Sequence, residues 1–298
     1  MNIKEKLEQR RKEIDRIIVQ YLPEEGPDVG ALASAMRYSI LVGGKRLRPI
    51  LMLESFRMFG GRDVTIEPFL AAIEMIHTHS LVHDDLPAID NDEYRRGEKT
   101  THAVYGEAIG VLAGVALLNL AYETVVNAFY HREEGERVLR AVRTLAGKTG
   151  LSGMLGGQGL DVYNEKNGNP VQQEDELMYI YEKKTAALLE ASLMIGAELA
   201  GAGKEDVEKM EKIGSLIGLA FQVRDDVLDV TSTQEEMGKP AFSDQKNEKT
   251  TFVSLHGVEK AEEQVAEWTE EVLEILRTIP CDTGFLETLI RDMAGRRK

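Results

Sequence analysis

The chain has 298 residues, 43% hydrophobic and 29% charged, which is enough apolar content to bury a large core and argues against global disorder. Lys and Arg total 36 against 51 Asp and Glu, a net charge of −15, so non-specific nucleic-acid binding, which needs a basic face, is disfavoured. The one cysteine, Cys281, excludes an internal disulfide and a cysteine-based zinc site.

Helical periodicity then runs the length of the chain. Ile3, Leu7, Ile14, Ile17, Ile18 and Tyr21 mark one helix face, ended by Pro23, Gly26 and Pro27. A second helix over 28–42 stops at Gly43-Gly44, and Pro49 opens a third that closes at Gly60-Gly61. Pro68 starts a strong helix through Ile73, Ile76 and Leu81, which Pro87 forces to end near Asp84-Asp85. Further helices are expected at 101–130, 136–165, 172–201, 205–231, 258–278 and 283–295, with polar loops at 164–171 and 232–249. No strand alternation and no hairpin signal stand out, and no composition shift divides the chain, so the expectation is one all-α domain over 1–298. The charged N-terminus has no apolar signal core, and the apolar stretches near 109–122 and 186–200 fall short of the roughly 18–20 residues of a spanning helix. With the cysteine content, this predicts a cytoplasmic protein without stable membrane insertion.

Two carboxylate clusters carry the chemistry. HDDLPAIDND holds Asp84, Asp85, Asp90 and Asp92 at the end of an apolar helix. QVRDDVLDV holds Gln222, Asp225, Asp226 and Asp229 at i, i+3, i+4 and i+7, one face of a helix that is otherwise apolar. Such carboxylates are costly unless positive charge pairs with them. Close-packed oxygen donors suit a hard cation, and Mg²⁺ prefers one or two carboxylates with water and phosphate oxygens in its other positions. Helix capping or a solvated acidic face would explain one such pair more simply than two. Neither cluster has the spacing of a calcium loop.

Basic residues gather in this acidic chain at GGKRLRP (Lys45, Arg46, Arg48), YRRG (Arg95, Arg96), EKKT (Lys183, Lys184, Thr185) and the 232–249 loop (Lys239, Lys246, Lys249). Guanidinium forks and lysine charges bind phosphate in complementary ways. Together with two Mg²⁺-type clusters they point to diphosphate substrates. GMLGGQGLDV lacks the strand and glycine spacing of a dinucleotide fingerprint, and its glycines suit close helix packing, with Gln158 and Asp161 as possible site-facing residues.

GGKRLRP, LVHDDLPAIDNDEYRRG, KTAALLEAS and FQVRDDVLDV, in this order, resemble the trans-isoprenyl diphosphate synthases, closest to bacterial farnesyl and short-chain geranylgeranyl diphosphate synthases. The resemblance implies a single-domain helical bundle around a deep central apolar cavity, in a homodimer. It implies Mg²⁺-dependent head-to-tail condensation of isopentenyl diphosphate with dimethylallyl or geranyl diphosphate, using up to three ions. The implied catalytic set is Asp84, Asp85, Asp90, Arg95, Lys184, Asp225, Asp226, Asp229 and Lys239, with Asp84, Asp85, Asp90, Asp225 and Asp229 as metal ligands. Lys45, Arg48, His77 and Arg96 would hold isopentenyl diphosphate, and Arg95, Lys184, Thr185, Gln222, Lys239 and Lys249 the allylic diphosphate. His79, five residues or roughly 7–8 Å before Asp84 along the helix, and its neighbour Ser80 would set product length, with farnesyl diphosphate preferred to geranylgeranyl. The 232–249 loop and the Arg296-Arg297-Lys298 tail are candidate closing elements. Val115, Phe242 and Ala186 depart from the family pattern. A class I terpene cyclase needs no second diphosphate site, and a non-catalytic synthase subunit would generally have lost acidic ligands, so both stand as alternatives.

Overall fold

Pro68 lies at the start of α4 (Glu67–Asp84), where a missing backbone donor costs nothing. Almost every side chain of α4 from Pro68 to Ile76 is buried, so this helix is apolar on all sides because protein surrounds it. The computed structural model describes residues 3–24, 26–27, 29–130, 135–168, 171, 173–231 and 250–296. Helices make up 79% of it, and it divides into two compact units, residues 1–53 with 62–142, and 54–61 with 143–298.

The first unit contains α1 (Ile3–Gln20), α2 (Gly30–Leu41), the start of α3 (Leu47–Met58), α4, α5 (Thr101–Tyr105), α6 (Glu107–Tyr130) and the start of α7 (Gly135–Thr149). α6 packs along α4 through Ala113, Leu117, Ala121 and Val125, all fully buried and spaced by four. Ile14 and Ile18 of α1 and Ala33, Met36 and Ile40 of α2 complete the core. Each fully buried Ile or Leu contributes about 1.5–3 kcal/mol relative to exposure. Pro49 falls in the first turn of α3, as expected, but Gly106, at φ 87°, separates α5 from α6 where one helix was expected over 101–130.

The larger departure is a hairpin. β1 (Tyr94–Arg95) and β2 (Glu98–Lys99) pair antiparallel, and the connecting Arg96 and Gly97 have φ 57° and 84°, both positive as in a type I′ turn. Tyr38 Oη donates to the Lys99 carbonyl at 2.7 Å and ties the hairpin to α2.

The second unit holds the remainder of α3 and α7, α8 (Met154–Lys166), α9 (Glu174–Ile180), a π-helical turn (Tyr181–Ala186), α10 (Ala187–Ala200), α11 (Lys204–Thr231), α12 (Phe252–His256), α13 (Val258–Arg277) and α14 (Gly284–Ala294). The helix expected over 136–165 is broken at 150–153, and α12 was not anticipated. α10 is buried nearly throughout. Its Glu190 is ion-paired to Lys148 of α7, which also binds Glu211 of α11 at 2.6 Å. A Cβ on Gly157 would come 2.4 Å from the Lys184 backbone nitrogen, and one on Gly218 would come 2.2 Å from Ala186 Cβ. These glycines let α8 and α11 lie directly against the π turn, and for Gly157 this is the packing role expected of the glycine-rich string.

Candidate active site

In the first unit, α4 ends with Asp84 and is capped by Asp85. The chain then folds back, so that the Asp90 amide donates to the Asp84 carbonyl at 2.9 Å. Residues six apart in sequence are thereby set side by side, Asp84 half-buried and Asp90 exposed. Asp85 differs. It is buried and accepts from Arg95 Nε at 2.7 Å and Nη2 at 2.6 Å. Burial opposes the charge of Arg95, but the bonds to Asp85 outweigh it and raise the guanidinium pKa.

The basic segment alternates in direction. Lys45 is exposed. Arg46, at φ 51°, is turned inward and buried. Its guanidinium donates to Asp15 of α1 at 2.8 Å, Glu74 of α4 at 2.7 Å and the Ile40 carbonyl of α2 at 2.7 Å. Arg46 is therefore a structural clamp and not a phosphate ligand. Arg48 Nη1 lies 3.2 Å from His77 Nε2. Burial, then repulsion from Arg48, Arg96, Arg95 and Arg46, drives the His77 pKa well below 6.5, so its Nε2 is an acceptor and the ring proton sits on Nδ1. Burial pushes Arg48 down to about 10, with Arg96 repelling it further, and Arg48 Nε is buried without a hydrogen-bond partner. Arg96 donates to the Gly43 carbonyl, and a Cβ on Gly44 would sit 2.5 Å from Arg96 Nη1. Several guanidinium groups thus converge around one uncharged imidazole, an arrangement that favours an anion.

His79 is buried against α6, with Nδ1 donating to the Gly114 carbonyl at 3.0 Å and its ring edge-on to His83 at 4.6 Å. Burial, then His83, lowers its pKa to about 4. The Ser80 hydroxyl donates to the His77 carbonyl at 2.8 Å, within its own helix. These histidines predict a stability slope. Native His77 and His79 refuse protons that the unfolded chain accepts below about pH 6.5, so their contribution is full above that pH and is lost as pH falls. For His79 alone the loss by pH 4 is about 3 kcal/mol. Urea midpoints should therefore fall between pH 7 and pH 5, and the fall should be smaller in His79→Gln.

In the second unit the four residues of the second motif share an arc of about 100° on α11, yet their surroundings differ. Asp225 is half-buried and accepts from Arg296 Nη2 at 2.5 Å, while the Arg296 guanidinium stacks 3.8 Å from the Phe221 ring centroid. Arg224 holds the Arg296 carbonyl at 2.9 and 3.0 Å. Asp226 is buried and accepts from Tyr181 Oη at 2.6 Å and from the Phe252 amide at 3.1 Å. Asp229 is buried. In the π turn, Lys184 pairs with Asp161 at 2.6 Å and the Thr185 hydroxyl donates to Gln222 at 2.9 Å. Sequence reasoning had Asp161 as a possible site residue but missed Tyr181, whose partner lies 45 residues away. Lys239, Phe242, Lys246 and Lys249, with the whole 232–249 segment, and Arg297 and Lys298, lie outside the described residues.

Among the described residues, no three His, Cys, Asp or Glu side chains converge to enclose a metal ion by themselves. The donor chemistry fits Mg²⁺ nonetheless, because that ion takes one or two carboxylates and leaves its other positions to water and phosphate. Asp84 with Asp90, and Asp225 with Asp229, offer that minimum. Asp85, Asp225 and Asp226 all accept from protein donors in this structure, and of these only Asp85 and Asp226 do so while buried.

Residues 29–283 match the polyprenyl synthetase family model. Over 237 residues, 80% of this chain and 63% of that protein's length, the chain is 46% identical to a chloroplastic geranylgeranyl pyrophosphate synthase of Capsicum annuum. It is 36% identical to the farnesyl diphosphate synthase of Geobacillus stearothermophilus over 99% of this chain and 98% of that protein. The crystal structure of an FPP/GFPP synthase from Zymomonas mobilis, 32% identical, superposes with a TM-score of 0.87 over 99% of both chains. The chain belongs to the polyprenyl synthetase family of prenyltransferases, the trans-prenyl diphosphate synthases that join isopentenyl diphosphate to an allylic diphosphate.

Proposed function

We propose that the protein makes farnesyl diphosphate by Mg²⁺-dependent head-to-tail condensation of isopentenyl diphosphate with dimethylallyl and then geranyl diphosphate. The observation that carries this reading is the convergence of Arg48, Arg96 and uncharged His77 in the same unit as the paired Asp84 and Asp90. A cyclase, which handles one diphosphate, has no use for that basic set. Mg²⁺, when bound, would supply charge neutralisation for a departing diphosphate. The chain's own residues bind and orient. His77 accepts from Arg48 and so fixes the fork that, with Lys45 and Arg96, holds isopentenyl diphosphate in line for attack. Arg95, Lys184, Thr185 and Gln222, with Lys239 and Lys249, hold the allylic diphosphate, and the cations among them stabilise its developing charge. Asp84 with Asp90 in the first unit, and Asp225 with Asp229 in the second, are the residues that would hold Mg²⁺. No side chain is required as a base, since the released diphosphate can take the proton.

The test is isopentenyl diphosphate with dimethylallyl diphosphate, with and without Mg²⁺, followed by mass analysis of the product. Conversion without added metal, or of farnesyl diphosphate alone into a hydrocarbon, would refute the proposal. Geranylgeranyl diphosphate is the second reading, favoured by the 46% identity to a protein of that name. His79 bears on the choice, because its ring is wedged against α6 five residues before Asp84. His79→Ala should at least double the ratio of C20 to C15 product in that assay, and an unchanged ratio would remove His79 as the length determinant.

We also infer a homodimer formed through α6. Its Val111, Leu112, Val115 and Val126 are exposed. The stretch 107–128 is longer than the sequence pattern suggested, since Ala, Gly and Thr extend its apolar run, and by length and composition alone it could cross a membrane. A second copy covering this face accounts for it in a cytoplasmic protein. Sedimentation should give twice the chain mass without detergent.

A further inference from the structure

Asp226 belongs to the acidic motif, but its oxygens are occupied from inside the protein. Oδ2 accepts from Tyr181 Oη at 2.6 Å and the Phe252 amide at 3.1 Å, and Oδ1 accepts from Gln222 Nε2 at 3.3 Å. The other end of the Gln222 amide accepts from the Thr185 hydroxyl at 2.9 Å. Tyr181 and Thr185 both lie in the π turn Tyr181–Ala186. The chain of bonds therefore leaves the turn at Tyr181, crosses α11 through Asp226 and Gln222, and returns to the same turn at Thr185. A π turn is a strained local winding, common at functional sites, and this one is stapled to α11 at two points. Tyr181, Val223, Val227 and Phe252 belong to one apolar cluster, so a carboxylate there needs its donors.

We propose that Tyr181 is a positioning residue for the allylic diphosphate: acting through Asp226 and Gln222, its phenol fixes the π turn that presents Lys184 and Thr185. Asp226 moves with it, from the catalytic set to hub of that support. The inference rests on the functional reading above and deepens it, since it concerns the allylic subsite alone. A fixed turn holds the Lys184 and Thr185 backbone in one place before substrate arrives, and the phenol loss frees it.

The test is steady-state kinetics of Tyr181→Phe, which removes one oxygen and leaves the ring in the cluster. The KM for geranyl diphosphate should rise about tenfold, while kcat and the KM for isopentenyl diphosphate stay within about twofold. Asp226→Asn should move the same constant, and the double variant should be no worse than the poorer single one, because both break one circuit. If Tyr181→Phe fails to fold by circular dichroism, Asp226→Asn is read instead for a rise in the KM for geranyl diphosphate without a rise in that for isopentenyl diphosphate, whatever its kcat. An unmoved KM for geranyl diphosphate in a folded variant overturns the proposal, as does an equal rise in both KM values. A wild-type protein that condenses nothing would instead reject the functional reading, so the two failures are distinct.

Discussion

Asp84→Ala should lower kcat by about 1,000-fold or more, with helical circular dichroism intact and a thermal midpoint close to that of the native protein. Both halves of this expectation come from the same placement. Asp84 is the last residue of an 18-residue helix and Asp85 is its cap. A helix C-terminus carries partial negative charge, so a carboxylate there is disfavoured by about 0.3–1 kcal/mol. Asp85 offsets this through Arg95 at 2.7 Å. The Asp84 carboxylate sits at an unfavourable helix end but feels the nearby Arg95 charge, so its removal gives up one effect for the other and leaves the helix little changed. Alanine retains the carbonyl that receives the Asp90 amide, so the fold-back turn survives. Retained turnover in this variant, or loss of its helical signal, would contradict the assignment.

Arg46→Met should have the largest effect on stability, about 3–5 kcal/mol, read as a lowered denaturation midpoint. Arg46 and Glu74 are both almost fully buried, at 4% and 2% exposure. The guanidinium joins α1, α2 and α4 through three hydrogen bonds, which is why a non-glycine residue is held at φ 51°. Removing it strands Glu74 as an unpaired charge in the core. The double variant Arg46→Met, Glu74→Leu should recover much of the loss, since two apolar groups need no partners. A single variant as stable as the native protein would mean that water replaces the clamp.

The all-α class, the helix ends set by proline and glycine, and the family motifs were legible because they depend on residues near one another in sequence. The hairpin was not. Its strands have two residues each, too few for alternation, and Arg96 occupies a turn position where Gly, Asn or Asp would have signalled it. The contact of its side chain with the Gly43-Gly44 backbone, invisible in the sequence, helps hold an Arg there. GGKRLRP showed a basic cluster but not that Arg46 faces inward, because that depends on Asp15 and Glu74, 31 and 28 residues distant. The spacing of Gln222, Asp225, Asp226 and Asp229 correctly grouped them on one side of α11. It could not assign different work to adjacent aspartates, which their partners Arg296 and Tyr181 decide.

The widened winding at Tyr181–Ala186 also has a geometric consequence for chain alteration. Such a stretch accommodates one residue more than regular α winding does, and each residue advances a helix by about 100°. Deleting a single residue there would let α9 run smoothly into α10 with every ladder bond made. It would leave α9 and α10 nearly in phase, because the wide turn spends its extra residue without extra rotation, and would re-aim only the side chains inside the turn. A straighter rod, easier to form, would aim its lysine in the wrong direction, so the irregularity is itself the compass of that segment.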